Sequence, residues 1–378
     1  MSPLAGTGRN PVPFFDLARQ HAQLGESLTD PVDNLLLSGN CVLGPAVARL
    51  EEELASWSGT ARSVGVSSGT DALQAVLLAL GIGPGDEVVT TPFTFVATAQ
   101  AIVRCGAKPV FADIDPASLN LDPIAAEAAC GPRTRAILAV HLFGLMSDVE
   151  SLAAIARRRG IHLVEDAAQA FGASRSGRFA GSWGVAGCHS FYPTKVLGAA
   201  GDAGAVCASD PDLVAKIRQI RTHGADPSGS HRFVGGNFRM DALQALILQA
   251  KLPGLPRRLQ ARREHSAAYG EALGATEAKL PSEDPAGERV WSQYCLRHAK
   301  RDALRSHLAS AGIGTGIYYA TPLHLEPCFS FLGHSEGSFP IAEGAAREIL
   351  ALPLFPELRE DERARTIQAV LDFERGAP

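Results

Sequence analysis

The stretch Leu163-Val-Glu-Asp-Ala-Ala-Gln-Ala-Phe-Gly172 governs how the rest of the chain is read. A short apolar run stops abruptly at two acids and gives way to small residues. A strand looks like this when it delivers its C-terminal end to the edge where open α/β sheets bind ligands. Asp166 stands where it can meet a cationic ring nitrogen, and Gln169, one turn on, where it can hydrogen-bond an oxygen of the same ring. The plain alternative is that Asp166 only caps a following helix.

Working outward from this stretch, short β-branched runs alternate with longer helical ones from about Val64 to Ala208. The expected strands are Ser63–Val66, Glu87–Thr90, Pro109–Asp113, Ala136–Val140, Leu163–Glu165, Gly187–Phe191 and Ala203–Cys207. The expected helices between them are Asp71–Leu80, Ala97–Cys105, Pro123–Cys130 and Val149–Arg159, the last capped by Ser147 or Asp148. Strands separated by helices of this length imply βαβ crossovers. The fold class is therefore α/β, with a mostly parallel seven-stranded sheet sandwiched by helices.

Helices are also expected at Leu17–Leu36 and Ala46–Ser56, and a long helical run from Met240 to about Leu273, interrupted near Pro253 and Pro256. Beyond residue 275 the pattern changes to a strand at Val290–Arg297, a helix at Ala303–Ala311, a strand at Gly314–Tyr319 and two later helices. This suggests a smaller C-terminal α+β domain. The expected division is a flexible tail over residues 1–10, a large domain over 11–255 that includes the N-terminal helices, and a small domain over 256–378. A chain of 378 residues exceeds what one hydrophobic core usually supports.

Three further segments carry chemistry. Ser67-Ser-Gly-Thr-Asp71 follows a strand and opens a helix, so free N–H groups at Gly69 and Thr70 can cradle a phosphate, with a simple N-cap as the bland alternative. Ser190-Phe-Tyr-Pro-Thr-Lys195 puts an amine just past a strand end among small and apolar residues. Desolvation there lowers a lysine's pKa, as an amine that forms a Schiff base requires. Ser190, five residues earlier, can give a hydroxyl to the phosphate. Thr91-Pro-Phe-Thr-Phe-Val96 offers Phe95 for stacking on a flat ring, although a core phenylalanine is the commoner use. Gly65-Val-Ser-Ser-Gly69 also matches the G-x-S-x-G elbow of α/β-hydrolases, with Ser67 as nucleophile. That fold places several strands before its elbow, whereas here about one precedes it.

Composition narrows the classes. Charged residues are 20% of the chain, the net charge is −5 and no basic block stands out, so nucleic acid is a poor partner. Apolar runs such as Ala75–Leu80 are too short to span a bilayer, and the first ten residues have no signal-peptide core. Seven widely spaced cysteines without a C-x-x-C suggest small buried thiols in a cytoplasmic protein, with no disulfide framework and no metal site.

Taken together and in order, these segments resemble the DegT/DnrJ/EryC1/StrS family of nucleotide-sugar aminotransferases. The resemblance runs from about Pro11 to Leu371. It is carried by Val42-Leu-Gly-Pro45, Gly69-Thr-Asp-Ala-Leu73, Asn120-Leu-Asp-Pro123, Val140-His-Leu-Phe-Gly144, Glu165-Asp-Ala-Ala-Gln169, Ser190-Phe-x-x-x-Lys195, Gly201-Asp-Ala-Gly204, Arg221-Thr-His-Gly224, Asn237-Phe-Arg-Met-Asp241 and Pro322-Leu-His-Leu325. It implies pyridoxal 5'-phosphate held by Lys195 as a Schiff base, on the fold of the aspartate aminotransferase superfamily.

By the same likeness Asp166 pairs with the pyridine nitrogen, Gln169 contacts the phenolic oxygen, Phe95 stacks on the ring, and Gly69, Thr70 and Ser190 hold the phosphate. Asn237 matches an asparagine that reaches the phosphate of a second subunit, which implies a homodimer. The implied reaction moves an amino group from L-glutamate to a nucleotide-linked keto sugar. Glutamine at position 169 points to the C3 carbon, with UDP- and dTDP-linked sugars both open. Tyr318-Tyr-Ala320 and Phe238 depart from the family pattern on the expected sugar side, where Arg239 and His324 are further contact candidates. Some chains with this fold are regulators without catalysis, and a dehydratase branch has histidine in place of the lysine. Lys195 speaks against both.

Overall fold

The computed structural model describes residues 10–376. The tail expected over residues 1–10 lies outside them except for Asn10.

Arg62–Val66 (β1), Glu87–Thr90 (β2), Lys108–Phe111 (β3), Thr134–Val140 (β4) and His162–Asp166 (β5) are followed by a small hairpin of Ser174–Arg175 (β6) and Arg178–Phe179 (β7). Ala186–Ser190 (β8) and Gly204–Ala208 (β9) come next. Seven of these strands form one sheet in the order β1-β9-β8-β5-β4-β2-β3. β9 runs against both its neighbours, and the remaining pairings are parallel. All seven expected strands are present.

Alternation along β4 shows why the sheet is covered on both faces. Ile137 and Ala139 enter one apolar core, with Val89, Leu163 and residues of the helices Gly44–Ser58, Val149–Arg159 and Ala242–Lys251. Ala136 and Leu138 enter another, with Val64, Val164, Cys188 and the helices Gly69–Ala79, Ala97–Arg104 and Pro211–Ile220. Successive side chains leave a strand on opposite faces, so a strand buried on both sides must be apolar throughout. In β4 only Arg135 is exposed. The crossover helices have the expected stops: Asp148 caps Val149–Arg159 at its start, and Gly160, with φ of 63°, ends it. Ser147 does not cap; its Oγ and N–H face His141 instead.

A third core collects Tyr269 and Leu273, Tyr294 and Leu296, Leu304 and Leu308, Leu350 and Leu352, and Val370, together with Val12 from near the N-terminus. Gly287–Glu288 (β10) pairs with β6, and Tyr294–Arg297 (β11) pairs antiparallel with Ile349–Leu352 (β12). Helix Leu255–Leu273 serves two cores, giving Leu255 and Leu259 to the first and Tyr269 and Leu273 to the third.

Several expectations need correction. The helix expected over Leu17–Leu36 is broken into Leu17–Ala22 and Thr29–Ser38, with Gly25 at a left-handed φ of 50° between them. Gly314–Tyr319 is not a strand, because the chain there is pressed against Phe14. A Cβ at Gly314 would lie 2.7 Å from the Phe14 nitrogen, and only Gly316 bridges to β12, at Ala351. Helix Pro211–Ile220, started by Asp210 with Pro211 in its first turn, and strand β12 went unread in the sequence. The thiols are not all buried, since Cys41 and Cys328 are exposed. All seven are free. Among the described residues no helix is long and apolar enough to cross a membrane.

Candidate active site

The site lies beyond the C-terminal ends of the parallel strands, where helix starts and loops from β1, β2, β4, β5 and β8 converge. β5 ends in Glu165 and Asp166, and strand alternation sends them to opposite faces. Asp166 is 6% exposed. Thr98 donates to its Oδ2 at 2.8 Å and the Ala168 N–H to its Oδ1 at 3.2 Å. Thr98 belongs to the helix after β2, and its hydroxyl also meets that of Thr94 at 3.1 Å. Burial pushes the Asp166 carboxyl above its ordinary value, and the donors and the charge of Lys195 only partly offset this. A buried carboxylate with two neutral donors and no paired cation is short of positive charge.

Lys195 follows β8 in a tight loop closed by its own N–H to the Tyr192 carbonyl, 2.8 Å. Its side chain is half-buried, and among the described residues its Nζ makes no hydrogen bond. Desolvation lowers its pKa to about 8, against the opposing pull of Asp166. Lys195 and Asp166 therefore feel one another's charge without forming an ion pair.

Gln169 is held from two sides. The Phe143 N–H donates to its Oε1 at 2.7 Å, and its Nε2 donates to the Tyr319 Oη at 3.1 Å. Tyr319 in turn lies 6.2 Å from the Phe95 ring, at 37° between planes. Phe95 is 55% exposed, so its ring face is open to a ligand. Asp166, Lys195, Gln169 and Phe95 thus gather in one place, as the sequence suggests. Thr98 and Tyr319 join them there, and neither drew notice as a chemical group. A hydroxyl at the second position of the helix that follows Phe95 was the available signal for Thr98. For Tyr319 the pair Tyr318-Tyr319 stood out only as a family departure.

The expected anion cradle also assembles, with one change. Helix Gly69–Ala79 points its start at Ser190: a Cβ on Gly69 would fall 2.7 Å from the Ser190 Cβ, so only glycine lets the helix come this close. The N–H groups of Gly69 and Thr70 find no partner among the described residues. Two free N–H groups, a free Thr70 hydroxyl and the Ser190 hydroxyl suit a phosphate. The hydroxyls of Ser67 and Ser68, however, turn away and both donate to Asp71 Oδ2, at 2.6 and 2.9 Å. That also removes the hydrolase alternative, because Ser67 is bonded to a carboxylate and among the described residues no histidine meets it.

Asn237 is exposed and stands apart. Its segment runs back on its own loop through a bridge to Thr222, and among the described residues it makes no hydrogen bond to Gly69 or Ser190. Arg239 has a buried Nε without a partner beside the end of β1. His324 does not face the site. It is buried, and its Nε2 is taken by Glu343 at 3.0 Å. Elsewhere, Glu277, His298 and Glu374 have metal-ligating side chains close together. The Lys300 N–H donates to His298 Nδ1, so the proton sits on Nε2, facing Glu374 at 3.2 Å. With its proton on Nε2 the ring is neutral and offers no lone pair to a metal there.

Comparison with known proteins is consistent with this geometry. The sequence model of the DegT/DnrJ/EryC1/StrS aminotransferase family matches residues 22–371. A "pleiotropic regulatory protein" of Geobacillus stearothermophilus is 45% identical, with 96% of this chain and 99% of that protein covered. A UDP-N-acetyl-3-dehydro-alpha-D-glucosamine 3-aminotransferase of Acidithiobacillus ferrooxidans is 41% identical, with 95% and 97% covered. The crystal structure of DesV from S. venezuelae in complex with a ketimine intermediate superposes with a TM-score of 0.95 at 40% identity, covering 97% of this chain and 99% of that one. NtdA from Bacillus subtilis, with bound cofactor PMP, gives 0.90 at 28% identity, covering 98% and 86%.

Proposed function

This chain belongs to the DegT/DnrJ/EryC1/StrS aminotransferase family, and from that premise we propose that it uses pyridoxal phosphate to move an amino group from L-glutamate to C3 of a nucleotide-linked keto sugar. The observation that carries the reading is the unpartnered Lys195 amine beside an undercharged, buried Asp166, with a cradle of free donors at Gly69, Thr70 and Ser190. The relative with 3-aminotransferase in its name and the PMP-bound NtdA support the substrate position and the cofactor. Bound here, the cofactor would supply an electron sink for the pair left when a C–H bond beside the amine breaks.

The residues divide the remaining work. Asp166 keeps the ring nitrogen protonated, and a cationic ring relieves the carboxylate's own shortage of positive charge. Lys195 Nζ anchors the cofactor, and when released it removes and returns the proton at the substrate carbon. An amine with a pKa of about 8 is neutral often enough near neutral pH to do so. Phe95 covers one face of the ring, and Gln169 turns its free N–H to the phenolic oxygen. Asn237, exposed and without a role in its own chain's site, serves the phosphate of a second copy in a homodimer. Seven free thiols suit a reducing cytoplasm. The regulator name of one relative does not argue against turnover here, because the lysine and its carboxylate are both in place.

The test is spectroscopic. Purified protein loaded with pyridoxal phosphate is expected to absorb in the visible–near-UV, to lose that band on addition of L-glutamate, and to release 2-oxoglutarate in equal amount. Lys195→Ala should abolish the exchange. Release at the unaltered rate in that variant would refute the assignment. Screening UDP- and dTDP-linked 3-amino sugars in the reverse direction then identifies the acceptor.

A further inference from the structure

Gln169 can make four hydrogen bonds, two as acceptor and two as donor. A backbone N–H can only donate, so the Phe143 contact at 2.7 Å settles which end of the amide is oxygen. The Phe143 backbone is itself pinned through its next peptide. Its carbonyl accepts from Arg289 at 3.1 Å and from the Ser292 N–H at 3.3 Å, and Arg289 lies 3.8 Å over the Trp291 ring. Phe143 sits at φ 54° and ψ 20°, a left-handed conformation rare for a residue with a bulky side chain. The opposite end of the amide meets Tyr319. Its ring is boxed by Phe93, Phe95 and Tyr318, with centroids 6.3, 6.2 and 5.8 Å away. Burial raises the Tyr319 pKa well above its ordinary value, so the phenol stays neutral and accepts from Gln169. One Nε2 hydrogen is thereby consumed and one is left.

The geometry points to Tyr319 as a positioning residue. Together with the strained Phe143 N–H it clamps the Gln169 amide, so that the remaining N–H has one direction in which to donate. Resting on the function proposed above, that direction is the phenolic oxygen of the cofactor. The consequence is a tuned acidity. A fixed donor to the oxygen favours its negative form, and the proton shared between that oxygen and the cofactor-linked Lys195 nitrogen is then held less tightly. Loosening the clamp should raise the pH at which that proton leaves.

The readout is the pH titration of the visible band of the loaded protein, in the absence of any substrate. Tyr319→Phe keeps the ring and removes only the hydroxyl. Its titration midpoint should move up by about half to one pH unit, the scale of one neutral hydrogen bond. Gln169→Met should move it at least as far. In Tyr319→Phe/Gln169→Met the midpoint should match that of Gln169→Met alone, because Tyr319 acts only through the amide. An unmoved midpoint in Tyr319→Phe, or shifts that add in the double variant, would overturn the inference. If Tyr319→Phe does not accumulate, an unmoved midpoint in Gln169→Met overturns it equally. A wild-type chain with no visible band at any pH would instead remove the proposed function, and a band that is present but does not shift with pH would overturn this inference alone, so the two failures can be told apart.

Discussion

Glu165 and Asp166 are adjacent carboxylates on one strand, both buried, and they live in opposite electrostatic conditions. Glu165 accepts from four donors: His141 Nε2 at 2.9 Å and the N–H groups of Gly181, Trp183 and Gly184 at 2.8, 2.6 and 2.7 Å. The Ser147 N–H donates to His141 Nδ1, which leaves the ring proton on Nε2 for Glu165. Burial alone would raise the Glu165 carboxyl, but these donors outweigh it and hold it below its ordinary value. One residue later, Asp166 has two donors, and burial wins. A carboxylate whose charge is fully answered by its own chain ties the fold together. One left short of positive charge is equipped to receive it from a ligand.

Substitutions should separate the two. The largest effect is expected from Asp166→Asn, which cannot hold the ring nitrogen charged. Amine exchange with L-glutamate should fall on the order of 10²–10³-fold, the scale for one preorganised electrostatic partner, while cofactor-free protein melts at the same or a higher temperature. An unchanged exchange rate would erase the functional half of the contrast.

Glu165→Gln should do the reverse, lowering stability in a denaturant titration by about 3 kcal/mol because it breaks a buried charged network, with the visible band retained. The pH dependence follows with opposite signs. Glu165 has a folded pKa below 4.5, so its contribution is complete above about 4.5 and is lost as pH falls through the folded value. Glu165→Gln should therefore flatten the acid limb of the stability curve. Asp166, in cofactor-free protein, has a folded pKa above 3.8, so ionising it costs stability as pH rises through that folded value. Asp166→Asn should remove that decline. Parallel acid limbs in the two variants would show that the carboxylates are equivalent after all. The smallest effect is expected from Thr98→Val, which deletes one of the two donors to Asp166. The dissociation constant for pyridoxal phosphate, measured by equilibrium dialysis, should rise by roughly three- to tenfold.

The same two residues show how far reading the sequence went. Asp166 was legible because an apolar run ended in acids at a strand terminus, and Lys195 because an amine followed a strand among apolar neighbours. Both signals are local. The clamp on Gln169 was not legible. Its partners are Phe143, 26 residues before it, and Tyr319, 150 residues after it, in a segment expected to be a strand. The hydroxyls of Ser67 and Ser68, beside the anion cradle, are claimed by the Asp71 carboxylate one turn away, which the sequence alone did not reveal. His324, expected near the sugar, is buried against Glu343.

What the sequence determines by itself is the alternation of strands and helices, the edge at which the chemical groups emerge, and the family, because periodicity, caps and ordered motifs depend on residues close along the chain. Only the tertiary structure decides which of two neighbouring carboxylates is satisfied and which is left wanting, and which way an amide points. Those outcomes rest on donors brought from distant segments, and on how much water their packing removes.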